Sequence, residues 1–283
     1  MGREVPRRGN QAAGPTLQRA LDILLMFVDQ PTMTVRVLSE RLALRKSTAY
    51  RFVSGLRGRG FLDELGDGSY RLGPRILQLA EAARPQLGII DLSSPIMAEL
   101  AQATGETTLL TTVVGDQALA VRQVAAPQPI RLTFQPGVTR PLHAGASAKV
   151  LFAFLDEARR ERLLRAGRFD RRTAETVTDP ARLRRQLAEI RAQGYAVTTG
   201  EYEEALRAVA APLVEPGGGI WGLSVVGPVG RMRDERLPQL VRAVVGAART
   251  LTARLGAPPS PGPSSRPPRL PVAAPRAGRR PPR

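Results

Sequence analysis

Few residues in this chain have the types and spacing that enzymes use. His143 is the single histidine, and a histidine placed between a serine and an aspartate would form a hydrolytic triad. No Gly-x-Ser-x-Gly turn, which would present such a serine, occurs near a candidate serine. We therefore predict a structural role for His143 and no catalytic one.

Two further clusters also have simpler interpretations. Glu201, Glu203 and Glu204 could supply acid–base groups or metal ligands. Successive positions of a strand point to opposite faces, however, which favours a solvated cluster. Gly217–Gly219 could bind phosphate, but no Gly-Lys-Ser/Thr follows, which favours a hairpin turn. We predict no catalytic residue, no metal and no cofactor.

The stretch "RKSTAYRFVSGLRGRGFLDEL", residues 45–65, has the pattern of a basic helix. An apolar stripe at i, i+3, i+4 and i+7 would pack on a core: Ala49, Phe52, Val53 and Leu56. The opposite face carries hydrogen-bond donors: Lys46, Ser47, Thr48, Tyr50, Arg51 and Arg57. This face is either a solvated helix surface or a surface that fits a nucleic-acid groove.

The neighbouring elements favour the groove. Thr16 is predicted to cap a first helix, "LQRALDILLMFVD", which Pro31 ends. A second helix over 34–42 is separated by "ALR" from a third over 46–57, which Gly60 ends. "FLDELGDGSYRLG" then predicts two strands around a Gly-Asp-Gly turn. Three helices and a hairpin in this order predict a winged helix-turn-helix, whose third helix enters the major groove of DNA.

The predicted contacts with double-stranded DNA fall into two groups. Contacts near base edges are assigned to Ser47, Thr48, Tyr50 and Arg51. Contacts with phosphates, which position a protein without reading sequence, are assigned to Arg45, Lys46, Arg57 and Arg59, with Arg71 added from the wing. The first helix has two apolar faces, one with Leu17, Leu21, Leu24 and Val28 and one with Ala20, Ile23 and Phe27. These faces could serve the core, a dimer interface or both.

Composition agrees with a polyanionic partner. The net charge is +17, and residues 1–86 carry 14 Lys and Arg against 8 Asp and Glu. Cysteine is absent, which excludes disulfides and thiolate catalysis and fits a reducing compartment. No apolar run approaches the ~18 residues of a membrane span, and the N-terminal residues resemble no export signal. We therefore predict a cytoplasmic protein that does not enter a membrane.

The chain is predicted to have two domains and an α+β fold. The winged helix-turn-helix spans 16–73, a linker helix interrupted near Pro85 spans 74–90, and an α+β domain spans 91–256. In the last of these, helices are predicted to flank a mostly antiparallel sheet, among them "SSPIMAELAQATGET" and "ASAKVLFAFLDEARRERLL". The Gly, Pro and Arg-rich segment 1–15 and the Pro/Arg-rich tail 257–283 are expected to be disordered.

Several stretches, in this order, resemble the isocitrate-lyase-regulator (IclR) family of bacterial transcription factors over about residues 16–255. They include "LSERLALRKSTAYRFVSGLRGRGFL", "RPLHAGASAKVLFAFL" and "GYAVTTGEYEEALRAVAAPL". The resemblance implies an N-terminal winged helix and a C-terminal effector-binding domain with a GAF-like fold. It also implies homodimers or dimers of dimers that control operons for small carbon compounds.

The resemblance further implies an effector cavity beside His143, formed here by Ala146, Ser147, Thr198, Ala208, Ser224 and Val226. The family often has an Asp near Thr198, a Cys at Ala208, a Ser at Val226 and glycines at Ala148 and near Ala205. Without that carboxylate, thiol and hydroxyl, a small oxo-acid would leave buried polar groups unpaired. We therefore expect an organic acid or an aromatic compound less polar than glyoxylate.

The predicted function is that of a ligand-responsive repressor that binds an inverted-repeat operator. The alternative is an enzyme or small-molecule sensor that uses the winged helix as an interaction module. An enzyme would show a constellation of His, Cys or carboxylate groups, and the sequence offers none that is convincing.

Overall fold

A computed structural model describes residues 15–83, 88–126, 128, 136–215 and 218–256. The chain divides into two compact units between Gly88 and Ile89, while the finer predicted domain limits stay predictions. The predictions for the tail, for Pro85 and for most of the N-terminal segment lie outside the described residues. No helix in the described ranges is long and apolar enough to cross a membrane.

The first unit contains four described helices and a small antiparallel sheet. Its helices are α1 (Pro15–Asp29), α2 (Val35–Arg41), α3 (Lys46–Arg57) and α4 (Pro74–Ala83). Its strands are β1 (Met33–Thr34), β2 (Leu62–Glu64) and β3 (Ser69–Leu72), in the order β1-β3-β2. The core that holds these elements together contains Ile23, Phe27, Met33, Leu38, Val53, Leu62 and Tyr70.

The boundaries of this unit follow from local chemistry. The hydroxyl of Thr34 accepts from the Val37 amide and caps α2. The prediction that Thr16 caps α1 is wrong, because the helix begins one residue earlier at Pro15, where a proline has no amide hydrogen to leave unpaired. The third helix, Lys46–Arg57, has the predicted limits. Gly60, which was predicted to end it, lies three residues beyond its last residue and has φ 74°. The predicted hairpin of β2 and β3 is extended by a third strand, β1, which pairs with β3.

The second unit is built on a six-stranded antiparallel sheet in the order β6-β5-β4-β9-β8-β7. Its strands are β4 (Thr107–Val114), β5 (Gln117–Val124), β6 (Thr139–Pro141), β7 (Ala196–Thr199), β8 (Leu206–Val214) and β9 (Ile220–Pro228). Its helices are α5 (Ile89–Thr104), α6 (Ala146–Phe154), α7 (Glu157–Ala166), α8 (Pro180–Gln193) and α9 (Leu237–Arg254). This confirms the predicted two-unit α+β class.

Alternation along the strands divides the apolar residues between two faces of this sheet. On β8, Val209 and Ala211 belong to the core shared with α5 and α9. Ala208 and Ala210, the alternate residues, belong to the core shared with α6 and α8. Because a strand turns successive side chains to opposite faces, each long strand of this sheet contributes to both cores.

Two helices differ from their predicted limits. The stretch "ASAKVLFAFLDEARRERLL", predicted as helix, breaks between α6 and α7, where the Asp156 carboxylate accepts from the Arg159 amide at 2.8 Å. An aspartate in this position stabilises a new helix start, so the chain turns here. Similarly, α5 begins at Ile89 and contains Pro95, although the pattern indicated a start near Ser93.

Candidate DNA-binding surface and effector cavity

One open groove on the first unit lies between the start of α3 and the β2–β3 wing. Its walls are Thr34, Val35, Arg36, Lys46, Ser47, Tyr50, Arg51, Gly68 and Tyr70. Four of the predicted DNA contacts, Lys46, Ser47, Tyr50 and Arg51, therefore share one exposed surface. Thr48 is half-buried beside it.

The helix is fixed by its other face. Ala49 and Val53 are fully buried, so the groove residues point away from the core. An ion pair between Arg57 and Glu64 links the end of α3 to β2. Burial of an apolar stripe together with this link gives the cationic face of α3 one orientation relative to the wing.

The remaining predicted phosphate contacts are exposed but do not line this groove: Arg45, Arg57, Arg59 and Arg71. Arg57 forms an ion pair with Glu64, and Arg71 Nη2 lies 3.9 Å from Asp63 Oδ2. Arg36, which sequence reasoning missed, lines the groove. Arg36 lies in the first turn of α2, the first of the two helices of the helix-turn-helix. Because this helix crosses the DNA backbone in such folds, its position could have identified Arg36 as a DNA contact from the sequence.

A cavity of about 60 Å³ lies in the second unit between the sheet and the start of α6. Five of the six residues assigned to an effector line it: Ala146, Ser147, Thr198, Ala208 and Val226. Ser224 does not. Ser224 is fully buried, and its hydroxyl lies 2.8 Å from the Ser147 hydroxyl. Ser224 therefore orients Ser147, which lines the cavity, without lining the cavity itself.

The start of α6 forms one end of the cavity. The Ala146 amide donates to Thr198 Oγ1 at 2.9 Å, and the Gly145 amide donates to Glu201 Oε2 at 3.2 Å. Gly145 has φ 89°, a conformation that favours glycine. The first amides of α6, which have no partner within the helix, are therefore occupied by side chains of the chain itself.

Glu201 is held by a buried ion pair. Its Oε1 lies 2.5 Å from Lys149 Nζ, and the two side chains are 9% and 1% exposed. Lys149 also donates to Gln186 Oε1 at 2.8 Å. Burial lowers the pKa of Lys149, and the nearby carboxylate of Glu201 opposes that shift.

The prediction of a solvated glutamate cluster is therefore wrong for Glu201, while Glu203 and Glu204 are exposed. Strand alternation does not apply to these residues, because they do not lie on a strand. They lie between the end of β7 at Thr199 and the start of β8 at Leu206, so their side chains follow the turn and not a pleat.

The cavity is also lined by residues that sequence reasoning missed, among them Arg140, Tyr202, Glu203 and Arg207. The guanidinium carbon of Arg140 lies 4.4 Å from the centre of the Tyr202 ring, and that of Arg172 lies 4.9 Å from it. Arg207 pairs with Asp234 at 2.6 Å. Burial lowers the pKa of Arg140, and Glu203 and Tyr202 favour its charged form. The wall of the cavity thus includes charged side chains as well as apolar ones.

His143 packs next to Ala144, which lines the cavity, but does not line it itself. It is buried, its Nε2 donates to the Asp170 carbonyl oxygen at 2.9 Å, and its ring centre lies 5.1 Å from that of Phe169. Burial lowers its pKa, which favours the neutral ring. Within the described ranges, no group of three or more His, Asp or Glu side chains could hold a metal ion.

Family models match both units. The model described as "IclR helix-turn-helix domain" matches residues 16–66, and the model described as "Bacterial transcriptional regulator IclR C-terminal" matches residues 82–253. Among curated proteins, the chain is similar to the HTH-type transcriptional regulator BhcR of Paracoccus denitrificans. The two are 35% identical over 238 residues, which cover 83% of this chain and 85% of BhcR.

Solved structures agree. A putative IclR transcriptional regulator from Silicibacter sp. TM1040 superposes with a TM-score of 0.80 at 29% identity, covering 88% of this chain and all of that one. An IclR homologue from Microbacterium hydrocarbonoxydans, complexed with 4-hydroxybenzoate, has a TM-score of 0.73 at 27% identity and covers 85% of this chain and 99% of its own. Both likenesses extend over the two units.

Proposed function

Because this chain belongs to the IclR family of bacterial transcriptional regulators, we propose that it is a ligand-responsive repressor acting in the cytoplasm. It binds an inverted-repeat operator through α3 and a small molecule in the cavity beside α6. The relatives are transcriptional regulators and not enzymes, so the enzyme alternative is set aside. The observation that carries the proposal is the exposed cationic groove on α3, in a chain that also encloses a cavity.

The first helix supports a dimer. Ile23 and Phe27 are buried in the core of the unit, while Leu17, Leu21 and Leu25 are 54%, 49% and 64% exposed. These three leucines recur every four residues and therefore lie along one side of α1. Covering the exposed half of each side chain contributes roughly half of the ~1.5–3 kcal/mol that burial of a fully exposed leucine gives. A second copy of the same helix offers the matching apolar surface.

A dimer of this kind has a specific footprint. Two copies of α3 related by a two-fold axis read half-sites about one helical turn apart, ~10 base pairs centre to centre, or a multiple of that spacing. We expect DNase footprinting of the full-length protein on its operator to protect an inverted repeat with two protomers per duplex. Protection of one asymmetric half-site by a single protomer would contradict the proposal.

The effector cavity supports regulation of an operon for small carbon compounds. The lining of the cavity is mainly apolar, and one structural neighbour is complexed with 4-hydroxybenzoate. A ligand can change operator affinity only by its differential affinity for two arrangements of the protein, typically ~1–3 kcal/mol of coupling. If the effector binds in this cavity, a side chain that fills the cavity should therefore abolish the coupling between ligand binding and operator affinity.

Ala208→Trp tests this dependence by volume, since Ala208 lines the cavity. We expect the variant to bind the operator like the wild type without ligand and to lose the ligand-induced change in affinity, about 5–150-fold. Fluorescence anisotropy on labelled operator measures both quantities, with ligands first found by thermal shift on the full-length protein. Ala205→Trp, at an exposed position near Ala208 that does not line the cavity, is the matched control. A full response by Ala208→Trp would place the effector elsewhere.

A further inference from the structure

The wing, residues 62–72, carries more negative than positive charge. It contains one cation, Arg71, and three carboxylates: Asp63, Glu64 and Asp67. Double-stranded DNA carries one negative charge for each ~1.7 Å of its axis, so a segment that binds the backbone is expected to present Lys or Arg. The groove beside the wing has this character, because the described residues that line it include three cations and no carboxylate. The wing has the opposite character.

Two of the three carboxylates lie beside arginines that the sequence assigned to phosphates. Glu64 forms an ion pair with Arg57 at the end of α3. Asp63 faces Arg71 across the β2–β3 pair, with Oδ2 3.9 Å from Nη2. These pairs are exposed to water and therefore add little stability. Each carboxylate nevertheless lowers the positive potential that its arginine offers to a phosphate.

Asp67 places a third carboxylate at the tip of the wing. Asp67 is exposed and lies between Gly66 and Gly68, and Gly68 lines the groove. Its Oδ1 accepts from the Ser69 hydroxyl at 2.6 Å and from the Ser69 amide at 2.9 Å. These two hydrogen bonds lower the pKa of Asp67, so its side chain is ionised at neutral pH. In the described part of the chain, Asp67 has no cation within ion-pair distance.

The hydrogen bonds from Ser69 also fix the position of this charge. An aspartate that bonds the backbone two residues further on closes a tight turn, and such a side chain does not swing away when a phosphate approaches. The cations of α2 and α3 therefore attract the duplex to the groove, while the tip of the wing repels its backbone.

We infer that Asp67 holds the wing away from the phosphates, so that this domain binds DNA through α2 and α3 and not through the wing. The inference rests on the proposed binding of DNA by α3. It adds that the wing lowers the affinity for every duplex, so that operator affinity depends more on contacts with base edges.

Asp67→Asn tests this repulsion, because asparagine keeps the oxygen that accepts from Ser69 and loses only the charge. We expect the full-length variant to bind a random duplex about three- to tenfold more tightly than the wild type at ~50 mM salt. This gain should shrink as the salt concentration rises, because salt screens the repulsion. Fluorescence anisotropy on the labelled duplex measures both effects. Asp29→Asn, at an exposed position that does not line the groove, is the control for loss of one negative charge and should give a smaller gain.

Footprinting with hydroxyl radicals tests the same inference on the wild type, without any substitution. On a recovered operator, the wild type should leave the backbone that flanks each α3 half-site unprotected. Asp67→Lys should extend protection to this backbone, because it converts the tip into a phosphate contact. Arg71→Gln should keep the salt slope of the wild type, in contrast to the loss of about one expected for a phosphate contact.

Three results would overturn the role of the wing. The first is an Asp67→Asn variant with no gain in affinity for the random duplex. The second is protection of the flanking backbone by the wild type. The third is a loss of affinity in Asp67→Asn that is confined to one base pair of the operator, which would assign Asp67 to the amino group of a cytosine.

Failure of this inference differs from failure of the proposed function. If the wild type binds an operator and Asp67→Asn gains nothing, only the role of the wing is overturned. If the wild type and Asp67→Asn both bind duplex DNA without salt dependence or sequence preference, the proposed function fails together with the inference.

Discussion

Lys149→Met is expected to lower the free energy of unfolding by about 3–5 kcal/mol, because it leaves a buried carboxylate without its counter-ion. Glu201 accepts from Lys149 and from the Gly145 amide, and after the substitution one of these two partners is lost. The loop that carries Glu201 is also tied by Thr176, whose hydroxyl donates to the Glu201 carbonyl oxygen at 2.7 Å. We expect the cavity wall to loosen together with the lost stability.

Urea unfolding of the full-length protein measures this effect. The matched control is Lys46→Met, because Lys46 is the only other lysine in the chain and is exposed. Its cost should stay within about 0.5 kcal/mol. Combining Lys149→Met with Glu201→Gln should cost less than the sum of the two single changes, since the double variant leaves no unpaired charge. A Lys149→Met variant as stable as the wild type would mean that the pair is open to water.

The second large effect concerns the division of roles in the α3 groove. Arg51→Ala should weaken operator binding by about 1–3 kcal/mol and relax the preference at particular base pairs, as expected if Arg51 binds a guanine edge. Lys46→Ala should weaken binding to all sequences similarly and reduce the magnitude of the salt slope by about one, as expected for a phosphate contact. Both side chains are exposed and line the same groove.

Affinity measurements on operator and on random duplex, each over a series of salt concentrations, distinguish the two roles. Arg41→Ala is the control for a general loss of positive charge, because Arg41 is exposed, does not line the groove and is not a predicted DNA contact. If Arg51→Ala weakens operator and random DNA by the same factor, the assignment of Arg51 to base edges is wrong.

The parts of the fold that were predictable from the sequence depend on local periodicity. The limits of α3 follow from the spacing of Ala49, Phe52, Val53 and Leu56, and the cap of α2 follows from Thr34. The break between α6 and α7 was missed because the apolar period of α6 continues through "FLDEA". Asp156 caps α7 only after the backbone has turned, and the turn itself leaves no pattern in the sequence. The two-residue strand β1 is too short to produce a pattern of its own.

The candidate cavity was less predictable, because its geometry is not local. Glu201 lies 52 positions from Lys149, and no spacing rule connects two single charges that far apart. Arg140 lies on an edge strand, and only the folded sheet places it beside Tyr202. Ser224 was assigned to the cavity by resemblance, yet its pairing with Ser147 removes it from the wall.

The proposed function depends most on sequence-specific binding of DNA by α3. Mapping the sites that the full-length protein occupies across its own genome, followed by affinity measurement on a recovered site and on its scrambled version, tests this directly. We predict a small number of sites that share an inverted repeat, bound at physiological salt at least ~10³-fold more tightly than the scrambled duplex. Sites without a shared repeat, or equal affinity for the scrambled duplex, would contradict it.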